Sequence, residues 1–232
     1  MKLRPPFHQA ALYFLLTVAA AVLSWFGSVY GWEGVDNALS AEGLRWWLRT
    51  AASGYVRSPF TEALLVLSFG VGLWCDTGLW RVVRDAVRHG RRPTRRERRG
   101  LAAAAVAFAL YAVLLAVMAV IPGGIASSVT GAFVGSPLMD GAAVLSSLCL
   151  CVTAVVYAYN IDTYGSHRHI IRGMQSGLRL FAPCLVTLIF VIWFFSVLRF
   201  TGLAACAGVP ERAVSLLHYV CCLFTLAEAG RG

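Results

Sequence analysis

The sequence predicts an all-α integral membrane protein with five to six transmembrane helices and one short interfacial helix. Hydrophobic residues make up 59% of the 232 residues and charged residues only 13%, a composition far more apolar than that of an ordinary soluble domain. Several runs of about 20 residues contain almost no charge, and this is the length that a helix needs to cross a bilayer. The basic residues are concentrated in the connections between these runs, as in membrane proteins of defined topology.

Five apolar runs predict five membrane spans. The first covers residues 10–30 and follows Lys2 and Arg4, as a signal peptide would. The run is longer than a usual signal sequence, and its small residues 19–21 lie in its middle, so we predict an uncleaved signal anchor. The other four spans are predicted at residues 60–80, 101–121, 142–159 and 178–198.

A last apolar segment covers residues 213–227. At about 15 residues it is short for a crossing. A sixth span, a half-membrane segment and an interfacial helix are alternative interpretations, of which we favour the sixth span.

Residues 39–51, between the first two spans, predict a short amphipathic helix. Ser40 is suited to cap its N-terminus, and Glu42 complements the helix dipole. Its apolar residues recur at i, i+3, i+4 and i+7 while its arginines occupy another face: Leu44, Trp47, Leu48 and Ala51 against Arg45 and Arg49. Such a helix lies in the membrane interface with its tryptophans at headgroup level, and we expect it on the exterior side.

The connection at residues 81–100 carries nine of the 19 arginines. We interpret it as a basic cytoplasmic loop that determines topology and contacts anionic lipid headgroups through Arg91–Arg99. Nucleic-acid binding is the competing explanation of an arginine cluster, but no recognition module surrounds it. The arginine distribution predicts a cytoplasmic N-terminus, and we expect the protein in a bacterial-type inner (plasma) membrane.

Metal, cofactor and catalytic motifs are missing from the sequence. His167 and His169 are two residues apart and would diverge on a helix, so we predict no metal site. No phosphate-binding glycine loop or nucleophile elbow occurs, and we therefore predict no enzyme activity and no cofactor. The seven cysteines lie mostly in apolar runs and read as packing residues, although a disulfide at Cys206, beside a predicted exterior loop, stays an alternative.

The second predicted span contains two carboxylates, Glu62 and Asp76. They are 14 residues apart, which places them on broadly the same side of a helix and about 21 Å apart along its axis. Each is then a hydrated residue near one interface, or the pair takes part in ion or proton coupling, with Asp76 the better candidate. Gly70 and Gly72 precede Asp76 and permit close backbone packing or a local break, as transporter sites often require.

Eight short motifs lie in two blocks of the sequence, the first at residues 12–79 and the second at residues 96–203. They are Ser24-Trp-Phe-Gly-Ser28, the 39–46 helix, Gly70-Val-Gly72, Thr77-Gly-Leu79, Ser136-Pro137, Tyr164-Gly165, Arg172-Gly-Met174 and Phe181-Ala-Pro183. In these two blocks the chain resembles the AbgT family, the p-aminobenzoyl-glutamate transporters.

This chain differs from the family by lacking its re-entrant hairpin segments, which supply the substrate and sodium sites. A basic loop stands at residues 88–95, where the first hairpin is expected, and the tail after Leu203 is expected to be unrelated. No binding residue of the family is therefore transferred to this sequence.

The resemblance implies ion-coupled secondary transport of p-aminobenzoyl-glutamate or a similar small aromatic or acidic solute. The alternative is a non-transporting membrane scaffold or partner subunit, derived from such a transporter by loss of its mobile core. A homodimer or another membrane partner is also expected. For a transporter, oligomerisation could supply the walls of a site from several copies, and the G-x-x-x-G spacing from Gly27 to Gly31 would permit a close helix contact.

Overall fold

The computed structural model describes residues 8–90, 93–120 and 137–229, and their regular secondary structure is entirely α-helical. The helices are α1 Gln9–Val29, α2 Ala41–Val56, α3 Pro59–Asp76, α4 Leu79–His89, α5 Arg95–Val120, α6 Pro137–Asp140, α7 Ala142–Asn160, α8 His167–Thr201, α9 Leu203–Cys206 and α10 Glu211–Ala229. Five of them, α1, α3, α5, α7 and α8, are long and apolar enough to cross a membrane. The protein is therefore an all-α, multi-pass membrane protein.

The chain forms two compact units. Unit 1 consists of Met1–Glu62 and Ala182–Gly232, and unit 2 of Ala63–Phe181. The helices α3 and α8 each contribute residues to both units, because the boundaries fall within them.

In unit 1, α2 forms where the sequence predicts an amphipathic helix. Ser40 is its N-cap, and its hydroxyl accepts a hydrogen bond of 3.0 Å from the Gly43 backbone N–H. The helix packs against α8 by aromatic contacts, since the rings of Trp46 and Phe200 stack with centroids 4.3 Å apart. Leu48, predicted on the apolar face, is 72% exposed, so the aromatic residues make the packing surface.

In unit 2, a core of buried side chains joins α3, α7 and the connection after α7. Its fully or nearly fully buried members are Leu73, Ala154, Ala158 and Tyr164. The Trp74 indole N–H donates to the backbone oxygen of Leu150 and to the Thr153 hydroxyl, both at 3.0 Å. These bonds fix the rotation of α3 about its own axis against α7.

The second predicted span ends earlier than expected. Helix α3 ends at Asp76, because Gly78 takes a left-handed conformation with φ of 76° and starts a new helix, α4. Glycine adopts this conformation without steric cost. The expected continuation to residue 80 is therefore wrong, and Leu79, which is 2% exposed, packs into the core beside Tyr157.

The segment at residues 81–100, predicted as a basic loop, is helical over most of its described length. Helix α4 ends at His89 with Gly90 as its C-cap, and α5 begins at Arg95, six residues before the predicted span. The early start has a local cause, a capping box in which the Thr94 N–H donates to the Glu97 carboxylate at 2.7 Å and the Glu97 N–H donates to the Thr94 hydroxyl at 3.3 Å. Arg91 and Arg92 lie outside the described residues.

Helix α8 also begins earlier than the fifth predicted span, at His167 rather than residue 178. The predicted span covers only the apolar run, but the polar residues before it, including Arg168 and Arg172, need not end a helix. As a result, Pro183 lies in the middle of a 35-residue helix rather than in its first turns.

The predicted close helix contact through Gly27 and Gly31 is wrong. Helix α1 ends at Val29, and Gly31 lies beyond it with φ of 69°. The Trp32 ring covers Gly27, since a Cβ atom there would lie 2.8 Å from that ring. Gly27 and Gly31 therefore do not share a helix surface that a second helix could approach.

The segment predicted as a sixth span belongs to α10, Glu211–Ala229, which is not among the five candidate spans. The sixth span therefore stays a prediction. Cys206 is exposed, and within the described residues all seven cysteines are free thiols.

Candidate functional site

Asp76, the leading coupling candidate, is the last residue of α3. Its side chain is exposed, and its Oδ2 atom accepts a hydrogen bond of 2.6 Å from the Tyr164 hydroxyl. Tyr164 lies in the short connection between α7 and α8 and is 4% exposed. A buried phenol therefore holds one oxygen of an exposed aspartate.

One face of α3 leads to this carboxylate through small residues. Ser68, Gly72 and Asp76 follow one another at intervals of four and so lie along the same side of the helix. On α8, Gly173 and Gly177 have the same spacing. We call the contact between Ser68 and Gly72 of α3 and Gly173 and Gly177 of α8 the small-residue crossing.

The backbones of the two helices touch at the small-residue crossing. A Cβ atom on Gly72 would lie 2.6 Å from both the Gly173 oxygen and the Gly177 Cα atom, and one on Gly177 would overlap the Ser68 carbonyl oxygen. The Ser176 hydroxyl donates to the Gly173 oxygen at 2.7 Å and to the Gly72 oxygen at 3.3 Å. Such close packing is the usual role of small residues in membrane helices.

Gly173 connects the small-residue crossing to the carboxylate. A Cβ atom at Gly173 would lie 2.6 Å from the Tyr164 hydroxyl and 3.3 Å from Asp76 Oδ2. The hydrogen-bonded pair therefore lies directly over the backbone of α8, and any side chain at position 173 would enter the space that the pair occupies.

The other side of α3 is held by α7. A Cβ atom on Gly70 would lie 2.7 Å from the Leu150 Cβ atom and 2.9 Å from the Ser147 backbone oxygen. The Ser147 hydroxyl donates to the Val66 oxygen at 2.6 Å. Gly70 and Gly72 thus allow α3 to approach two different helices, which explains why both positions have no side chain.

Tyr164 is set up to remain a hydrogen-bond donor. Burial raises its pKa above the ordinary value, and the hydrogen bond and negative charge of Asp76 raise it further. The phenol stays protonated at neutral pH, so it donates to the carboxylate rather than competing with it for a proton. The His169 ring stacks on Tyr164 with centroids 5.9 Å apart and fixes its orientation.

The Asp76 site offers oxygen ligands. A carboxylate and a phenol oxygen suit a proton or a hard cation such as Na⁺. Within residues 8–90, 93–120 and 137–229, no cluster of three or more His, Cys, Asp or Glu residues has a metal-binding arrangement.

The structure separates the predicted site residues into two places. Glu62 lies exposed in the first turn of α3, 14 residues from Asp76 and so about 21 Å away along the helix. Gly72 lies within the small-residue crossing, one turn from Asp76. The sequence argument missed Tyr164, Gly173 and Gly177, although the G-x-x-x-G spacing of the last two is visible in the sequence.

A comparison with protein-family models matches residues 83–219, more than half of the chain, to the AbgT transporter family. Comparisons with curated proteins and with solved structures gave no match. The matched range includes Tyr164, Gly173 and Gly177 and excludes α3, so the first block of resemblance lies outside it. It also continues past Leu203, so the expectation that the whole tail is unrelated is wrong. The chain belongs to the AbgT transporter family.

Proposed function

We propose that this AbgT family member carries out ion-coupled secondary transport, with Asp76 as the coupling carboxylate. Membership of the AbgT family supports a transport function. The resemblance of this chain to p-aminobenzoyl-glutamate transporters supports that compound, or a similar small aromatic or acidic solute, as the substrate. The observation that carries the role of Asp76 is its 2.6 Å hydrogen bond from buried Tyr164. Gly70 and Gly72 serve this site by bringing α3 close to its neighbours.

Ion binding at Asp76 would change the packing of α8. An ionised carboxylate only accepts hydrogen bonds, whereas a protonated or cation-bound one has less charge to offer the Tyr164 hydroxyl. Because the pair lies against Gly173, weakening this bond alters the contact between the end of α3 and α8. The charge on Asp76 is thereby linked to a helix contact, which is the link that coupling requires.

The test is uptake of labelled p-aminobenzoyl-glutamate into proteoliposomes under a Na⁺ gradient and, separately, a proton gradient. Asp76→Asn should lose the gradient-dependent uptake, and Tyr164→Phe should lower it by about tenfold, as expected for a hydrogen bond to a charged group. Asp140→Asn is the matched control, because Asp140 is an exposed aspartate outside the site. Gradient-dependent uptake that survives unchanged in Asp76→Asn would refute the role of Asp76.

A non-transporting scaffold or partner subunit is the second candidate. It is favoured by the position of Asp76 and Glu62 at opposite ends of α3, because transporter sites commonly lie near the bilayer midplane. Under this proposal the parent protein shows no uptake above empty liposomes under either gradient, and it co-purifies with a membrane partner or as a homodimer.

We also place the protein in a bacterial-type inner membrane with its N-terminus in the cytoplasm. The support is the arginine bias of the α4–α5 region, in which Arg95, Arg96, Arg98 and Arg99 precede the apolar part of α5. An Arg98→Cys variant with the native cysteines replaced should resist a membrane-impermeant maleimide in intact cells and react after permeabilisation. Labelling of Arg98→Cys in intact cells would show that the N-terminus lies outside the cytoplasm.

A further inference from the structure

Unit 1 contains an apolar groove of about 1100 Å³. We call it the apolar groove. Its walls are α1, the C-terminal part of α8, the 203–210 segment and the start of α10. The α1 wall is formed by side chains spaced for one face of a helix, namely Leu16, Ala19, Ala20 and Leu23.

The apolar groove has one charged end. Among the described residues that line it, Arg212 is the only charged side chain. Arg199 and Glu211 line a smaller adjoining cavity of about 260 Å³ and offset each other in charge. Arg199 is exposed, and its Nη2 atom lies 3.4 Å from the Ser215 hydroxyl. Arg212 therefore leaves one positive charge on the lining of the groove.

The charged end lies where three helices of unit 1 meet solvent-facing connections. The Asp36 N–H donates to the Thr201 oxygen at 3.1 Å, so the chain following α1 lies beside the end of α8. Trp32, which is 47% exposed, lines the groove in the connection after α1. Tryptophan and arginine together are typical of the headgroup level of a membrane helix.

The dimensions fit one lipid tail. From Leu16 to Leu23, α1 rises about 10 Å, compared with about 15 Å for the hydrocarbon half-thickness of a bilayer. With α1 crossing the membrane, the groove runs from headgroup level into the acyl region. An apolar cavity that opens into a bilayer is filled most favourably by a hydrocarbon chain, whose burial against protein adds dispersion contacts.

We propose that the apolar groove binds an acyl chain of an anionic glycerophospholipid, with the lipid phosphate paired to Arg212. The arginine supplies charge-assisted hydrogen bonds to the phosphate, and the net negative charge of an anionic headgroup adds an attraction that a zwitterionic headgroup lacks. The groove is therefore a selective lipid site in unit 1, separate from the Asp76 site in unit 2 and independent of the proposed transport function.

Trp32 provides the readout, because a brominated acyl chain in the groove quenches its fluorescence. The protein is reconstituted in phosphatidylcholine vesicles that contain equal fractions of dibrominated phosphatidylglycerol or dibrominated phosphatidylcholine. The signal of a Trp32→Phe variant is subtracted to remove the other six tryptophans. Each arginine near an anionic headgroup contributes about fivefold in binding, so we expect brominated phosphatidylglycerol to quench Trp32 at about one-fifth of the mole fraction needed with phosphatidylcholine.

Two variants test the two parts of the site. Arg212→Gln should abolish the fivefold preference, and the matched control Arg57→Gln, at an exposed arginine of unit 1 outside the groove, should keep it. Ala213→Phe fills the groove and should reduce quenching by both lipids, while Ala52→Phe, at an exposed alanine of α2, should not. Far-UV circular dichroism verifies that each variant is folded.

Three results would overturn the proposal. Equal quenching of Trp32 by the two lipids in the parent protein would remove the headgroup preference. If Arg212→Gln still preferred brominated phosphatidylglycerol, the headgroup preference would belong to a different site. A dimer in detergent that Ala213→Phe converts to a monomer, with Trp32 shielded from both lipids, would assign the groove to a second copy of the chain.

Discussion

Replacing Gly177 by alanine tests the small-residue crossing directly. The new Cβ atom would overlap the Ser68 carbonyl oxygen and lie 2.8 Å from the Gly72 Cα atom, compared with 3.4–4 Å for ordinary contact. Both neighbours are backbone atoms, which no side-chain rotation can move. Overpacking of this kind costs about 1–3 kcal/mol, and the rigid neighbours place Gly177→Ala near the upper value.

Alanine also gains about 1 kcal/mol over glycine in helix propensity, so the net loss of stability for Gly177→Ala is about 2 kcal/mol. For a chain of this size each kcal/mol shifts the Tm by about 2–4 °C, and the Tm should fall by about 4–8 °C. The matched control is Gly54→Ala in α2, where no atom lies within 4 Å of a new Cβ. That variant retains only the propensity gain and should raise the Tm by about 2–4 °C.

The assay follows thermal unfolding in detergent with a thiol-reactive fluorophore, since the described thiols are free and Cys184 and Cys222 are buried. The two variants carry the same chemical change and should shift the Tm in opposite directions. A Tm for Gly177→Ala that equals or exceeds the parent value, with Gly54→Ala raised as expected, would show that the two backbones are not in contact.

Three further predictions follow. In an alkaline titration of phenolate absorbance, the Tyr164 signal is obtained by subtracting the curve of Tyr164→Phe from that of the parent protein. Its midpoint should lie well above pH 10, because burial and Asp76 raise the Tyr164 pKa. A midpoint near pH 10 would contradict the burial of Tyr164. The stabilisation from this raised pKa is fully present below about pH 10 and is lost as pH rises through the folded-state pKa. Thr94→Ala should destabilise the start of α5 by about 1 kcal/mol, measured as about fivefold faster amide exchange at residues 95–98, and unchanged exchange there would exclude the capping box. Replacing Arg95 and Arg98 by glutamine should weaken the binding of phosphatidylglycerol by about 1 kcal/mol per arginine, measured as a smaller immobilised fraction of spin-labelled lipid. The loss should be larger at low than at high salt, and an unchanged immobilised fraction would contradict the proposed headgroup contact.

Elements with strong local signals were predictable from the sequence. Helix α7 occupies residues 142–160 against a predicted 142–159, because Gly141 and the polar residues from Asn160 onward bound a continuous apolar run. The N-cap of α2 at Ser40 was also predictable, since its hydroxyl satisfies the first turn. In both cases the determining residues lie within a few positions of the element that they define.

The early starts of α5 and α8 have a common cause, which is that the predicted spans cover only the apolar runs. The arginines before α5 and at the start of α8 lie in helices that continue beyond the apolar run, since a helix satisfies its own backbone whatever the side chains are. The Thr94–Glu97 capping box was visible in the sequence and would have corrected α5. The Asp76–Tyr164 bond joins residues 88 positions apart, and no local pattern predicts such a pair.

Contact between bare backbones at Gly72 and Gly177 has a consequence for how precisely the site is built. Elsewhere in a core, side chains change rotamer and absorb small errors in helix position. Here the closest approach of the two axes is determined by the van der Waals radii of backbone atoms, which have no rotamers that could absorb a displacement. The position of Asp76, one turn beyond Gly72, therefore depends on this backbone contact, and a displacement of α3 along α8 would move the carboxylate relative to Gly173.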